Sequence, residues 1–334
     1  MIDVLIVSSL SERYYYDAFV QICERRGIRI GILDPEHFVE TNGSLYVELD
    51  GVAPRGHVEL VRLGEDANTT VHAPIENIRV AWYLRVNRKT RVRDIVDPQQ
   101  RFVWNETLCA IHATLSVLSC PWINTFGNLD RLASNKLLQQ QHAHAAGLRT
   151  PKTRMSNDPR HITAFASAHD GLLLKSIGYT SLDSKDELVL YSERFDFAEI
   201  ARSPAAIRAC AVYAQEYMPK KYEYRVMFVD GEILACRIDS QASEKTETDW
   251  RHYDFAHVAH TAAELPSNIR DKIIAFMNSI GLRYGALDLI EMPSGEFVFL
   301  EVNPSGQWEW IAKLGGLPVA DTIATMFEKI IQRA

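Results

Sequence analysis

The chain has 334 residues, 47% of them hydrophobic and 24% charged, with a formal net charge of −7. That length suits two or three packed modules with a sizeable core. The acidic balance excludes nonspecific nucleic-acid binding, which needs a basic footprint.

The start, MIDVLIVSS, is predicted as a short strand over residues 4–8. It lacks the basic region and cleavage site of a signal peptide, and no apolar stretch in the chain reaches membrane-span length. Residues 14–26 are predicted helical, closed by Gly27, and residues 28–33 form a second strand ending at Asp34-Pro35. This βαβ opening predicts a Rossmann-like parallel sheet. The turn after the first strand, Ser8-Ser9-Leu10-Ser11, has no glycine to admit a pyrophosphate, so a nicotinamide site is not expected. Residues 42–63 alternate weakly and carry Asp50-Gly51, a hairpin signal. A strand at 79–82 runs into Arg85, Arg88, Lys89, Arg91 and Arg93. That cluster is either a solvated face or a patch for an acidic segment or a carboxylate. Residues 102–118 have helical spacing, and Trp122-Ile123-Asn124 gives a last short strand of the first domain. The five cysteines fall in no CxxC or metal-type spacing and are expected to be reduced core residues of a cytosolic protein.

Residues 128–147 make a polar helix, rich in Gln and His, closed by Gly147 with Pro151 beyond. His142 and His144 are two apart and do not share a face, so no metal site is expected from them. Asp158-Pro159 opens a helix over residues 160–169. GLLLKS at 171–176 is an apolar strand whose Lys175 needs an anionic partner or an exit to solvent. Residues 178–185 have the polar, glycine-containing character of a flap over phosphates. Residues 212–217 are strand-like and meet Pro219-Lys220-Lys221. Strands at 223–230 and 232–239 join at Asp230-Gly231, with Glu223 and Arg225 on one face of the first and Arg237 and Asp239 on one face of the second. The two arginines are expected either to clamp a carboxylate or phosphate, or to form surface ion pairs with Glu223 and Asp239. A polar loop over 240–252 ends in Asp249-Trp250-Arg251. A helix over 267–281 follows, and residues 311–331 carry Gly315-Gly316 and an amphipathic helix expected to close the third domain.

Between those last two helices lies the most informative stretch, GALDLIEMPSGEFVFLEVNPSGQW at 285–308. Two strand-type runs flank Pro293-Ser294-Gly295, a turn signal. With Ser294 and Gly295 as the central turn residues, Pro293 faces Glu296 and Asp288 faces Glu301. Directly opposed side chains have Cβ atoms roughly 4.5–5.5 Å apart, and like charges there destabilise a sheet. Something must neutralise the pair. Asn303 shares the face of Glu301 and adds a neutral oxygen. Two carboxylates and an amide oxygen suit Mg²⁺. A shared proton, or a register slip that separates the carboxylates, would also remove the conflict.

Taken in order, several short pieces resemble the ATP-grasp ligase superfamily over almost the whole chain. They are Asn135-Lys136, Ala146-Gly147-Leu148 with Pro151, Leu174-Lys175, Gln215-Glu216-Tyr217-Met218, Glu223-Tyr224-Arg225-Val226, Asp288, and Leu300-Glu301-Val302-Asn303-Pro304. Trp122-Ile123-Asn124, Ser156-Asn157-Asp158-Pro159, Ser240-Gln241, Asp249-Trp250-Arg251 and Pro304-Ser305-Gly306-Gln307-Trp308 bring the resemblance closer to the microviridin-type, or graspetide, peptide maturases. Ala81-Trp82-Tyr83-Leu84-Arg85 departs from that branch, which usually has consecutive arginines before a proline there, and Ser156 replaces a threonine.

The resemblance implies an α/β ATP-grasp fold in three parts. These are a Rossmann-like pre-ATP-grasp domain at 1–125, a linker helix with a small α+β lid domain at 126–211, and a C-terminal α+β domain at 212–334 carrying the metal and nucleotide site. It implies ATP and two Mg²⁺ ions. Lys136 and Lys175 would contact the α- and β-phosphates, and Gln215, Glu216, Tyr217 and Met218 would hold adenine. Glu223 would bond the ribose, and Asp288, Glu301 and Asn303 would hold the metal. Arg225, Arg237 and Arg251 would be catalytic, and Ser240, Gln241, Gln307 and Trp308 would meet the substrate. The implied substrate is a ribosomal precursor peptide, a leader plus an acidic, hydroxyl-rich core, with no nucleic acid or membrane as partner and with a homodimer admitted. Its Asp/Glu side chains would be activated as acyl phosphates and joined to Thr/Ser hydroxyls or Lys amines, releasing ADP and phosphate. A ligase adding a free amino acid is the alternative. A nucleotide-binding regulator without turnover is a third, disfavoured by the complete metal set.

Overall fold

Strands buried on both faces tend to be parallel ones covered by crossover helices, and the opening of the chain follows that rule. The computed structural model describes residues 1–51, 53–64, 68–86, 95–133, 135–178, 191–249, 252, 254 and 256–333. Its first sheet contains β1 (Val4–Ser8), β2 (Ile30–Leu33), β3 (Leu45–Leu49), β4 (Pro54–Arg62), β5 (Thr69–Pro74) and β6 (Val80–Arg85). The order is β3-β4-β2-β1-β6, with β5 also on β4. β1 lies parallel between β2 and β6, as the βαβ pattern predicts, and β3 to β5 add an antiparallel extension. Residues 122–124 bond along β6, with Ile123 N–H donating to the Ala81 carbonyl at 2.9 Å. Of the basic cluster only Arg85 is described: its Nε donates to Glu12 at 2.7 Å. Arg88, Lys89, Arg91 and Arg93 lie outside the described residues.

The chain divides into two compact units, residues 1–129 with 318–334, and residues 130–317. The terminal helix Val319–Arg333, expected to close the third domain, therefore belongs to the first unit. The Phe327 ring lies 6.2 Å from that of Phe19 and 5.9 Å from that of fully buried Trp82. Arg26 on the helix Asp17–Arg25's C-terminal cap reaches Asp321 and Glu328 at 2.9 and 3.1 Å. An amphipathic pattern shows that a helix has an apolar face but not which core that face covers.

In the second unit, β7 (Thr153–Ser156), β8 (Leu172–Lys175), β9 (Glu193–Phe195) and β10 (Val212–Glu216) form a small sheet in the order β7-β10-β8-β9. β10, expected to open the C-terminal domain, thus pairs in the smaller sheet. β10 ends at Glu216, and Pro219, which cannot donate to a ladder, follows three residues on. The flap expected at 178–185 lies outside the described residues apart from Gly178. The larger sheet is antiparallel, in the order β13-β12-β11-β14-β15. Its strands are β11 (Tyr222–Val229), β12 (Glu232–Ile238), β13 (His260–Ala263), β14 (Tyr284–Glu291) and β15 (Phe297–Asn303). One face packs Val226, Leu287, Leu289, Phe299 and Val302 with Ile273, Phe276 and Met277 of the helix Ser267–Ile280. The opposite face carries Arg225 and Asp288.

All five cysteines are free. Cys23 and Cys236 are buried, and burial pushes their thiols up to about 12 and about 11, so neither is a ready nucleophile. Cys109 and Cys210 are exposed rather than core residues. Among the described residues no helix is long and apolar enough to cross a membrane.

Candidate active site

The site is built on the hairpin of β14 and β15. Gly295 N–H donates to the Met292 carbonyl and Met292 N–H to the Glu296 carbonyl, both at 2.8 Å. The turn therefore has three residues, with Gly295 at φ +83°, a left-handed conformation that costs glycine little. This corrects the expected two-residue turn: Met292, not Pro293, faces Glu296. Near the turn the pairing is one step off, with Glu291 facing Phe297 and Leu289 facing Phe299. A bulge at Leu300 then restores the step, so Asp288 does face Glu301, and Ala286 faces Asn303. A bulge also places two successive residues on one side of a strand. Leu300 and Glu301 both line a cleft, whereas Phe299 and Val302 go to the helix-side core.

Each of the opposed carboxylates is met by a cation. Arg225 faces Asp288 across β11 and β14, and its Nη1 donates to both carboxylate oxygens, at 3.0 and 3.1 Å. Lys136 Nζ lies 2.9 Å from Glu301 Oε2. Neither a shared proton nor a register slip is needed. Lys136 is held at this height by its own helix, Lys136–Ala145, whose cap Asn135 accepts the Leu138 N–H at 3.1 Å. One turn on, the buried Gln139 amide donates to the Val302 carbonyl at 3.0 Å and accepts the Val302 N–H at 2.9 Å. That double bond to β15 ties the lysine to the strand carrying Glu301.

An open cleft lies over this pair of carboxylates. It is lined by every residue expected at a nucleotide, Lys136, Lys175, Gln215, Glu216, Tyr217, Met218 and Glu223, and by Asp288 and Glu301. Met218 packs with Ile290, Val298 and Leu300 into an apolar floor. The Glu216 side chain is occupied structurally, accepting the Lys152 N–H at 2.8 Å. Arg194 stacks on Tyr217, 4.2 Å from the ring centre. Glu223 is buried, and burial pushes its carboxyl above the usual range, opposed by Lys220 and by a hydrogen bond from Ser240. Lys220 Nζ donates to Glu223 Oε1 at 2.6 Å and to the Thr248 carbonyl at 3.0 Å. Asp249, also buried and also lining the cleft, accepts the Ser192 N–H at 3.0 Å. Asn303 lies beyond the lining, where its Oδ1 accepts the Ser305 N–H at 2.9 Å and retains a second lone pair. Among the described residues no three or more His, Cys, Asp or Glu gather for a metal. The hairpin instead offers two carboxylates and an amide, a hard-oxygen set that fits a cation keeping several waters.

No protein-family model and no curated protein matches this chain. Solved structures do. The RiPP-associated ATP-grasp ligase of Chryseobacterium gregarium, in complex with ADP and a leader and core peptide, matches 100% of this chain and 98% of its own, with TM-score 0.83 at 20% identity. Macrocyclase MdnC from Microcystis aeruginosa MRC, bound with precursor peptide MdnA, matches 98% of this chain and 99% of its own, with TM-score 0.77 at 25% identity. This is the ATP-grasp ligase fold. The ATP-grasp ligase PsnB, complexed with a phosphomimetic variant of a minimal precursor, Mg and ADP, matches 99% of each chain with TM-score 0.75 at 15% identity.

Several expected residues of this ATP-grasp site stand elsewhere. β11 and β12 join by a two-residue turn, so an odd-numbered residue faces an even-numbered one. Arg225 faces Cys236 and Arg237 faces Tyr224. The two arginines therefore lie on opposite faces of the sheet, and Arg237 instead covers the Tyr222 ring at 4.6 Å. No two-arginine clamp forms. Ser240 is fully buried and bonds Glu223, while the Gln241 amide donates to the Glu247 carbonyl at 3.2 Å, so both organise the loop behind the ATP-grasp cleft. Trp308 is buried at the start of the helix Glu309–Gly315, and Gln307 offers Arg225 Nη2 its carbonyl at 3.3 Å. Neither lines the cleft. Gly306 explains how that loop lies so close: a Cβ there would stand 2.1 Å from that of Ala286. Arg251 lies outside the described residues. Lys220 and Gln139 were not expected in the ATP-grasp site. A Lys-Lys pair after proline and a run of glutamines both read as surface.

Proposed function

We propose that this chain is an ATP-dependent, ADP-forming ligase that joins side chains within a ribosomally made precursor peptide. The observation that carries this is the opposed pair Asp288 and Glu301, each met by a cation, in the cleft that also holds Met218 and Glu223. A peptide substrate, rather than a free amino acid, is supported by full-length likeness to ligases solved with leader, core or precursor peptides.

In this scheme the Glu216 carbonyl and the Met218 N–H hold adenine; Pro219 has no N–H, so Met218 is the last donor there. Leu300, Ile290 and Met218 supply the floor, and Glu223 accepts from the ribose hydroxyls. Lys136 and Lys175 take the α- and β-phosphates. Asp288, Glu301 and the Asn303 amide oxygen would hold two Mg²⁺ ions, which when bound neutralise charge on the β- and γ-phosphates. Arg225 steadies the transferred phosphoryl group. A peptide carboxylate oxygen attacks the γ-phosphorus and ADP leaves. A hydroxyl or amine of the same peptide then attacks the acyl carbon, expelling phosphate and giving up its proton. Water must be kept out at that stage, because it would hydrolyse the acyl phosphate.

Incubating the protein with ATP, Mg²⁺ and an acidic, hydroxyl-rich precursor peptide is expected to lower the peptide mass by one water per ring. ADP and phosphate are expected in equal amounts, without added amino acids. Stoichiometric AMP, read by chromatography, would rule out the acyl-phosphate route. A mass that changes only when a free amino acid is supplied, and then by a gain of its residue, would assign the chain to amino-acid ligation.

A further inference from the structure

Lys220 has no role in the scheme above, yet its side chain is only 6% exposed. We propose that Lys220 is a positioning residue for the sugar of the nucleotide: it aims Glu223 at the ribose hydroxyls and ties the loop at Thr248 to the hinge, the segment 215–218 expected at adenine. This rests on the nucleotide reading of the cleft.

The two lysines after Pro219 part company. Lys221 stays half in solvent, 3.7 Å from Glu291, while Lys220 turns inward to Glu223 three residues on. Its ammonium spends two donors on the Glu223 carboxylate and the Thr248 carbonyl, and it lines the cleft beside them. A buried carboxylate is expensive without a cation, and the strand neighbours of Glu223 on either side are Ile238 and Ile290, which offer none. Asp249 from the loop adds repulsion, Ser240 adds one hydrogen bond, and Tyr217 of the hinge stands near enough to feel the Glu223 charge. Lys220 therefore sets both the direction and the charge of the group that accepts from the sugar. Without it, Glu223 takes up a proton and accepts from one hydroxyl fewer.

The test is binding of ADP and of 2′,3′-dideoxy-ADP, by calorimetry from pH 5 to pH 8, to wild type, Lys220→Met, Lys220→Gln and Lys220→Arg. Wild type is expected to prefer ADP by about 10–100-fold, the worth of charge-assisted hydrogen bonds. Both neutral variants are expected to lose most of that preference. What remains should shrink further as pH falls, because an acid whose folded value is raised is protonated from above its ordinary range. Lys220→Arg should restore part of the preference. Lys220→Gln keeps a donor and tests the charge alone if Lys220→Met does not fold. An ADP preference that is unchanged in the folded neutral variants overturns this proposal alone. Wild type that binds no ADP overturns it together with the nucleotide reading.

Discussion

Glu301→Gln is expected to lower ATP turnover by about 10²–10³-fold, in the range for lost electrostatic stabilisation of a transition state, with the fold intact. Glutamine keeps the shape, so Leu300 and Val302 stay on their respective sides of β15. It also removes the like-charge opposition with Asp288, which offsets the loss of the Lys136 bridge. The catalytic loss comes from a different source: the hard anionic oxygen that would hold the metal is replaced by a neutral one. ADP release gives the rate, and a thermal melt gives the stability. Normal turnover in Glu301→Gln would end the metal assignment. Loss of the fold would mean the pair is structural.

Arg225→Met should be the more damaging change to the fold. Both side chains of the Arg225–Asp288 pair are largely out of water, 8% and 16% exposed. Removing one partner of such a pair costs about 3–5 kcal/mol, because the other charge stays behind. Here Asp288, deprived of Arg225, would also face Glu301, and the Gln307 carbonyl would lose the Arg225 donor. Urea denaturation is expected to show a loss of that size, and Asp288→Asn in the Arg225→Met background is expected to recover much of it. A cost no larger than the roughly 0–1 kcal/mol of a surface bridge would show that the pair is solvent-screened.

The site was readable in the sequence wherever chemistry and strand alternation agree. Asp288 opposite Glu301, the hinge ending at Pro219 and the lysines at 136 and 175 all stand in one cleft. The opposition was reached through a turn one residue too short, and a bulge at Leu300 made up the difference. Neither the turn length nor the bulge shows in the alternation of apolar residues. Arg237 fails for a related reason: which face a strand residue takes depends on the number of residues in the turn, not on its own neighbours. Burial of Ser240 and Trp308, and the inward turn of Lys220 beside an outward Lys221, depend on long-range packing that no local pattern encodes. The βαβ opening was readable for the opposite reason, since its signal is local.

The return of the last helix to the first unit has a consequence for the order in which a ribosome can finish this protein. Residues 130–317 are all made before Val319, so the unit bearing the cleft needs no later segment to close. The first unit does, because Phe327 still has to reach Phe19 and Trp82. At roughly 5–20 residues per second, that apolar surface waits on the order of 10–60 s for its cover. Phe19 and Trp82 are therefore among the last core residues to be sealed, and for that interval they are the part of the chain a chaperone would find.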